Sequence, residues 1–216
     1  WLIATTKINE LGRSLSESRK KIAPKLVRET EKQLNDLGFL QSRFDVEIVD
    51  PSELGHGDGF VSRSGFDQIE FLFAPNPGEP FKPLKAIASS GEMARVMLAL
   101  KTVLVSMDSV EILIFDEVDS GISGGIAEIV GKKLLKLGER HQTLCVTHLP
   151  QIAAFAEHHL LVSKKMQDNQ TFTKISILNK ERERVNALAD LLGGQNISEN
   201  TIELASEMLK SSQKNS

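Results

Sequence analysis

The chain has 216 residues, of which 40% are hydrophobic and 25% charged, and its formal net charge is −3. These values are ordinary for a globular protein and exclude a strongly basic nucleic-acid-binding chain, so any DNA contact would need a local basic patch. No apolar run approaches 18 residues and there is a single cysteine, Cys145, so we expect no membrane span, no internal disulfide and a reducing, cytosolic environment. Because the chain begins at Trp1 without a signal-peptide pattern, we expect a fragment of a longer protein.

Apolar side chains recur every three or four residues near the start, which predicts a helix over residues 1–37 with an imperfect heptad seam. Pro24 suits a kink or the first turn of a second helix, and Gly38 suits the C′ position. The pattern leaves open an ordinary amphipathic helix and one arm of a coiled coil. The seam consists of Trp1, Ala4, Ile8, Leu11, Leu15, Ser18 and Ile22.

After this helix, alternating residues predict strands at 44–48 and 69–73 around an exposed Gly- and Ser-rich loop at 51–65. Helices and strands then alternate from residue 89 to 165, which predicts a mainly parallel α/β sheet with flanking helices. The helix that starts near Ser89 has an apolar face of Met93, Val96, Met97, Leu100 and Leu104. The further predicted elements are doubly buried strands at 112–115 and 143–147, helices at 122–137 and 150–156, a hairpin of 160–163 with 172–177, and helices at 181–192 and 198–209.

Two carboxylates follow the apolar strand of ILIFDEVDSG directly, at Asp116 and Glu117. The carboxyl ends of parallel strands are where open α/β sheets bind ligands, and paired carboxylates there suit a cation and a proton-transfer role. In phosphate-loop ATPases the first such Asp holds Mg²⁺, and a following Glu can orient or deprotonate water. The bland alternative is a strand end whose acids only face solvent.

The segment Ser89-Ser90-Gly91-Glu92 opens a helix, so its free N–H groups and positive dipole end suit an anion. Gly91 would allow close backbone approach. Ser89 with Glu92 also fits a capping box, and both interpretations can hold together. His148 follows the next predicted strand, at the same expected sheet edge as Asp116; it suits a phosphate or water contact, or a purely structural role.

The strings IASSGEMARVMLALK, LIFDEVDSGISG and CVTHLPQIAAFAEHH, followed by LADLLGG and ASEML, resemble the C-terminal part of the ATPase head of the RecN family. Members of this family are SMC-like, ABC-type ATPases of bacterial DNA repair. The resemblance implies that residues 1–37 are the end of a returning coiled-coil arm and residues 38–216 the C-terminal lobe of the head. It also implies a cytoplasmic, nucleoid-associated protein with no membrane partner.

The same resemblance implies a role for each site residue. Asp116 would be the Mg²⁺-associated carboxylate, Glu117 the catalytic base and Asp119 a residue of the loop that crosses a dimer interface, while His148 would sense the γ-phosphate. Ser89, Ser90, Gly91 and Glu92 would form the signature, which contacts ATP bound to the opposite head of a homodimer. The chain departs from the commonest signature at Ala88, where Leu is usual, and at Ser90, where Gly is usual.

The phosphate-binding pattern G-x-x-x-x-G-K-[ST] is absent from the sequence, so we expect this chain alone to be inactive as an ATPase. The resemblance places that loop in an N-terminal lobe of the same protein, and it implies that the partner of the whole is DNA with double-strand breaks. Two alternatives remain, a head that tethers DNA ends with weak or no hydrolysis and another ABC-type lobe such as that of a transporter. Two basic clusters could contact DNA or be ordinary solvated helix faces: Arg19, Lys20, Lys21 and Lys25, and Lys132, Lys133, Lys136 and Arg140.

Overall fold

The computed structural model of the protein describes residues 2–49, 62–167, 170–194 and 196–213. The chain divides into two compact units, Trp1–Ser89 and Ser90–Ser216. The first helix thus shares its unit with the strands that follow it. The functional interpretation of residues 1–37 as a coiled-coil arm stays a prediction.

The first unit consists of a long helix and a three-stranded antiparallel sheet. Helix α1 spans Leu2–Asp36, and the sheet has the order β1-β2-β3 with strands Arg43–Val49, Gln68–Ala74 and Lys82–Pro83. A single 3₁₀ turn, Leu84–Ala86, follows. Both longer strands were predicted within a residue or two of their ends. Residues 51–61 of the predicted loop lie outside the described residues.

Helix α1 ends in a glycine cap, as predicted. Gly38 has φ 92°, and its N–H donates to the Asn35 carbonyl at 3.1 Å while the Phe39 N–H donates to the Leu34 carbonyl at 3.0 Å. These two bonds are those of a Schellman motif. At Pro24 the helix continues without a break, so the alternative of a second helix starting there is wrong.

Contacts along α1 stabilise the first unit. Arg19 pairs with the buried Asp67 at 2.8 Å and also donates to the Ser64 carbonyl, so this member of the first basic cluster is already engaged inside the protein. Gly12 is buried against Phe66, whose ring lies where a Cβ would stand. Most of the predicted seam is nevertheless exposed, including Leu11 and Ile22.

The second unit contains a parallel strand pair, an antiparallel hairpin and five helices among its described residues. In chain order its elements are α2 Ser90–Leu104, β4 Ile112–Phe115, α3 Gly124–Gly138, β5 Gln142–Cys145, α4 Pro150–Ala153, β6 His159–Gln167, β7 Gln170–Leu178, α5 Glu181–Gly193 and α6 Glu199–Gln213. Strands β4 and β5 are parallel, and β6 and β7 are antiparallel neighbours. The predicted α/β class, the parallel pair and the terminal hairpin are therefore confirmed.

The expectation that β4 is buried on both faces is wrong. Leu113 and Phe115 are buried, but Ile112 and Ile114 are 52% and 71% exposed. On β5, Leu144 is also exposed, and Val146 just beyond the strand is 62% exposed. The described part of the chain covers only one face of the parallel pair. The opposite face is apolar and open to solvent.

The helix after the predicted signature buries a different face from the one expected. Val96 and Leu100 are buried as predicted, whereas Met97 is exposed and its neighbours Leu98 and Ala99 are fully buried. The cause is the position of the core, since α2 packs on α3 inside the second unit. A second core joins α4, α5 and α6. It consists of Ala153, Ala154, Val185, Leu188, Ala189, Ala205 and Leu209.

The short helix α4 is fixed to α3 by a glycine–ring contact. A Cβ on Gly131 would lie 2.4 Å from a Phe155 ring carbon, so the ring occupies the space that a side chain would need. This packing holds the segment that follows β5 and therefore positions the loop that carries His148. None of the helices in the described ranges is long and apolar enough to cross a membrane.

Candidate active site

The predicted chemical residues meet at one edge of the parallel pair. Phe115 is the register partner of Cys145, and the Val146 N–H donates to the Phe115 carbonyl at 2.9 Å. Asp116 therefore leaves the end of β4 beside the point where the chain leaves β5 toward His148. This arrangement confirms that the two loops share a sheet edge.

Asp119 organises the loop after β5. Its side chain is 5% exposed, and its Oδ2 accepts hydrogen bonds from the Thr147 hydroxyl at 2.6 Å and from the His148 N–H at 2.8 Å. The same oxygen lies 3.0 Å from His148 Nδ1. Thr147 Oγ1 in turn accepts the Leu149 N–H at 3.0 Å. A buried carboxylate with several donors is the arrangement that offsets its desolvation.

This network defines which side of the His148 ring is available. Nδ1 faces Asp119, while the side chain is 75% exposed, so Nε2 is the ring nitrogen left for chemistry outside the chain. With Nδ1–H directed at that carboxylate, Nε2 can accept from water in the neutral ring and can donate to a phosphate oxygen only when the ring carries both protons. The Asp119 side chain itself was expected in a loop that crosses a dimer interface, and here it is engaged within its own chain; the interface role of that loop stays a prediction.

Glu117 has an unusual backbone. Its φ is 57°, and it is the one non-glycine residue with positive φ among the described residues. A bulky residue in this region costs about 1–2 kcal/mol, so surrounding contacts must hold it there. One such contact is a turn in which the Ser120 N–H donates to the Glu117 carbonyl at 3.0 Å.

The side chain of Glu117 is bound by the first residue of α2. The Ser90 hydroxyl donates a hydrogen bond to Glu117 Oε2. Both side chains are exposed. The sequence therefore predicted the two groups of residues, the helix start and the strand end, but not that they touch within a single chain.

Gly91 is buried at the start of α2, against the turn that follows β4. A Cβ there would lie 2.7 Å from the Ser120 Cβ, 3.1 Å from the Glu117 carbonyl oxygen and 3.2 Å from the Ser120 carbonyl oxygen. We expected the backbone at Gly91 to approach an anion closely. In the structure it approaches the Glu117–Ser120 turn of the same chain closely. The remaining signature residues are placed simply: Ser89 is exposed at the end of the first unit, and Glu92 is half-buried in the first turn of α2. The capping box of Ser89 with Glu92 stays a prediction.

Arg95 is a site residue that sequence reasoning missed. It is 8% exposed, and its Nη1 donates to the Ser120 carbonyl at 2.6 Å. Burial lowers the pKa of Arg95, an effect that the Glu92 carboxylate opposes. The signal was an arginine inside the apolar face of α2, where an unpaired charge is costly. Thr147 was missed too, although its place next to His148 could have indicated a loop-forming hydroxyl.

The carboxylates at the sheet edge act on the thiol of Cys145. Burial, with a smaller effect of Asp119 and then of Asp116, raises the pKa of this thiol to about 12. Cys145 was expected in the core, but it is half-buried, on the face of β5 that it shares with its buried register partner Phe115. Both carboxylates act on the same strand end, which agrees with their shared edge.

Asp116 is exposed at the carboxyl end of β4. Within the described ranges, no group of three or more His, Cys, Asp or Glu side chains is arranged to hold a metal ion. Mg²⁺ in nucleotide sites is commonly held by one or two carboxylates together with water and substrate phosphates. A single accessible aspartate therefore fits that ion when the phosphates come with the nucleotide.

Comparisons with known proteins give a consistent result. No protein-family model matches the chain. It is 41% identical over 207 residues to "DNA repair protein RecN" of Xylella fastidiosa (strain 9a5c), covering 96% of this chain and 36% of that protein. To the RecN of Bacillus subtilis (strain 168) it is 37% identical over 205 residues, covering 91% of this chain and 35% of that protein. The chain thus spans about a third of the length of these relatives.

Solved structures agree on the fold. An Smc head domain with an extended coiled coil, from Pyrococcus furiosus, matches with a TM-score of 0.52 and 18% identity over 78% of this chain and 39% of that one. The Smc head domain of Pyrococcus yayanosii matches with a TM-score of 0.50 and 15% identity over 87% and 29%. Nearly the whole chain is therefore similar to about a third of the length of RecN proteins, and it has the α/β fold of SMC head domains.

Proposed function

We propose that this chain is one lobe of an ATP-hydrolysing head of a DNA repair protein. The observation that carries the proposal is the shared sheet edge, where Asp116, Glu117 and the Asp119–His148 pair stand beside the start of α2. The relatives named DNA repair protein RecN, similar over 96% of this chain, support the biological setting. A cytoplasmic, nucleoid-associated place of action and DNA with double-strand breaks as partner belong to this proposal.

In the proposed reaction, water attacks the γ-phosphorus of ATP and ADP leaves. Glu117 takes the proton of that water, and His148 contacts the γ-phosphate through Nε2, since its Nδ1 faces Asp119. Asp116 would hold Mg²⁺, which neutralises charge on the phosphates when it is bound. Ser89, Ser90, Gly91 and Glu92 would serve the nucleotide of a partner head, because the start of a helix favours an anion.

We propose further that a second lobe with the phosphate loop covers the open face of the parallel pair. That face carries four exposed apolar side chains, three on the two strands and one just beyond β5, whereas Leu113 and Phe115 on the opposite face are buried. Parallel sheets are stable with both faces covered, and an uncovered apolar face of this kind favours association. The four side chains are Ile112, Ile114, Leu144 and Val146.

The alternative of a tethering head with little or no hydrolysis has one observation in its favour, the contact that occupies Glu117. The exposed seam of α1, with Leu11 and Ile22, supports the coiled-coil arm and disfavours a transporter lobe. The two basic clusters add little, because Arg19 is paired with Asp67 and Lys132 with Glu128.

The test is ATP turnover by the protein that contains both lobes. Glu117→Gln and Asp116→Asn should each lower kcat at least a hundredfold, because each removes a group that acts on the reacting atoms. Glu128→Gln is the matched control, since Glu128 is an exposed residue of α3 whose partner is the surface Lys132. Turnover that is kept in Glu117→Gln, or lost equally in Glu128→Gln, would refute the assignment.

A further inference from the structure

The contact between Ser90 and Glu117 joins two parts of the site that the proposed function uses separately. Ser90 opens α2, and Glu117 begins the turn that follows β4. The hydroxyl of Ser90 donates to Glu117 Oε2 within one chain. The carboxylate therefore stands at the start of a helix, where the positive dipole end favours a negative charge.

The surroundings make this a defined geometry rather than a loose surface pair. Gly91 lies against the backbone of the Glu117–Ser120 turn. A Cβ placed on Gly91 would be within 3.2 Å of two carbonyl oxygens of that turn. Arg95 fixes the same turn through the Ser120 carbonyl at 2.6 Å. Glu117 itself is held at φ 57°, a conformation that needs such support.

A serine hydroxyl has one proton, so it can donate to one acceptor at a time. While Ser90 donates to Glu117, it cannot donate to a phosphate, and one oxygen of the Glu117 carboxylate is occupied. Within one chain, the hydrogen bond thus engages both the Ser90 hydroxyl at the helix start and the Glu117 carboxylate.

We propose that Ser90 is a positioning residue that holds Glu117 in a resting state, and that the hydroxyl must leave the carboxylate before the head hydrolyses ATP. This inference rests on the proposed function, because it gives Glu117 the role of base. It assigns to the serine at this position a task within its own chain, in addition to any contact with a partner's nucleotide. Loss of the hydroxyl should therefore speed turnover.

The first measurement is amide hydrogen exchange in this chain, at the Ser120 N–H that bonds the Glu117 carbonyl. In Ser90→Ala the turn should open more often and exchange about two- to tenfold faster, a range set by a charged hydrogen bond discounted for solvent exposure. In Ser90→Thr, which keeps the hydroxyl, the rate should stay within about twofold of the original. Equal rates in all three proteins would overturn the contact.

The second measurement is steady-state ATP turnover by the two-lobe protein. Ser90→Ala should raise kcat about two- to tenfold, and Ser90→Thr, which keeps the hydroxyl, should raise kcat less than Ser90→Ala does. A kcat that is unchanged or lower in Ser90→Ala would overturn the resting-state role even if exchange is faster. Absence of turnover in the unsubstituted two-lobe protein would instead refute the proposed function, and the exchange experiment would still decide the Ser90 contact.

Discussion

Replacement of Gly91 by alanine should destabilise the second unit, although alanine is the better helix former. Gly91 is the second residue of α2 and is buried against the Glu117–Ser120 turn. An added Cβ would lie 2.7 Å from the Ser120 Cβ, where carbon atoms normally stay about 3.5–4.0 Å apart. One of the two groups must move by about an ångström.

The turn has little freedom to make that movement. Arg95 donates to the Ser120 carbonyl at 2.6 Å, and the Ser120 N–H donates to the Glu117 carbonyl at 3.0 Å. Overpacking of a tight contact costs about 1–3 kcal/mol, and replacing glycine by alanine in a helix returns up to about 1 kcal/mol. We therefore expect a net loss of about 1–2 kcal/mol in the free energy of unfolding.

Gly125→Ala is the matched control, because Gly125 is the second residue of α3 and a Cβ there would meet nothing within 4 Å. The free energies of both variants can be measured by urea unfolding followed by far-UV circular dichroism. The control should be neutral or slightly stabilised. Equal stability of Gly91→Ala and Gly125→Ala would refute the claim that Gly91 is required for packing on the turn.

Three further predictions concern the sheet edge. Asp119→Ala should lose about 2 kcal/mol of stability, because it leaves the Thr147 hydroxyl and the His148 N–H without their acceptor. Urea unfolding measures this loss, with Asp190→Ala at an exposed position as the control. Equal losses in the two variants would contradict the prediction. Cys145 should react with Ellman's reagent at pH 8 at least ten times more slowly in the folded chain than in urea. Since its folded pKa is raised to about 12, its contribution to stability is complete below the unfolded thiol pKa of about 8.5 and is lost as pH rises toward 12. Ile114→Thr, on the open face, should change the chain's stability by less than about 0.5 kcal/mol, whereas Leu113→Ala, on the buried face, should cost about 2–4 kcal/mol; similar losses in both would show that the face is not open.

The sequence was sufficient for the elements and for their order, because each carries a local signal. Alternation identified β1 and β2, a short apolar run identified β4, and glycine identified the end of α1 at Gly38. The carboxyl edge of a parallel pair then predicted that Asp116 and His148 share an edge, which the register of Phe115 with Cys145 confirms.

Contacts between separate loops carry no such local signal. The apolar run at 112–115 predicted burial on both faces, but periodicity cannot tell whether a covering layer is present, and Ile112 and Ile114 are exposed. Gly91 was expected to approach an anion, whereas a tertiary contact with Ser120 explains it. The Ser90 hydroxyl likewise has many local uses, and only the fold places it on Glu117.

We propose that this chain completes an ATP site whose phosphate loop lies on another lobe. The most direct measurement is ATP turnover by this chain alone, by the phosphate-loop lobe alone and by the two together. We predict that neither part turns over ATP, that the mixture does, and that Glu117→Gln in this chain abolishes the activity of the mixture. Turnover by this chain alone that is lost in Glu117→Gln, or lobes that bind each other and stay inactive, would contradict a site shared between the two lobes.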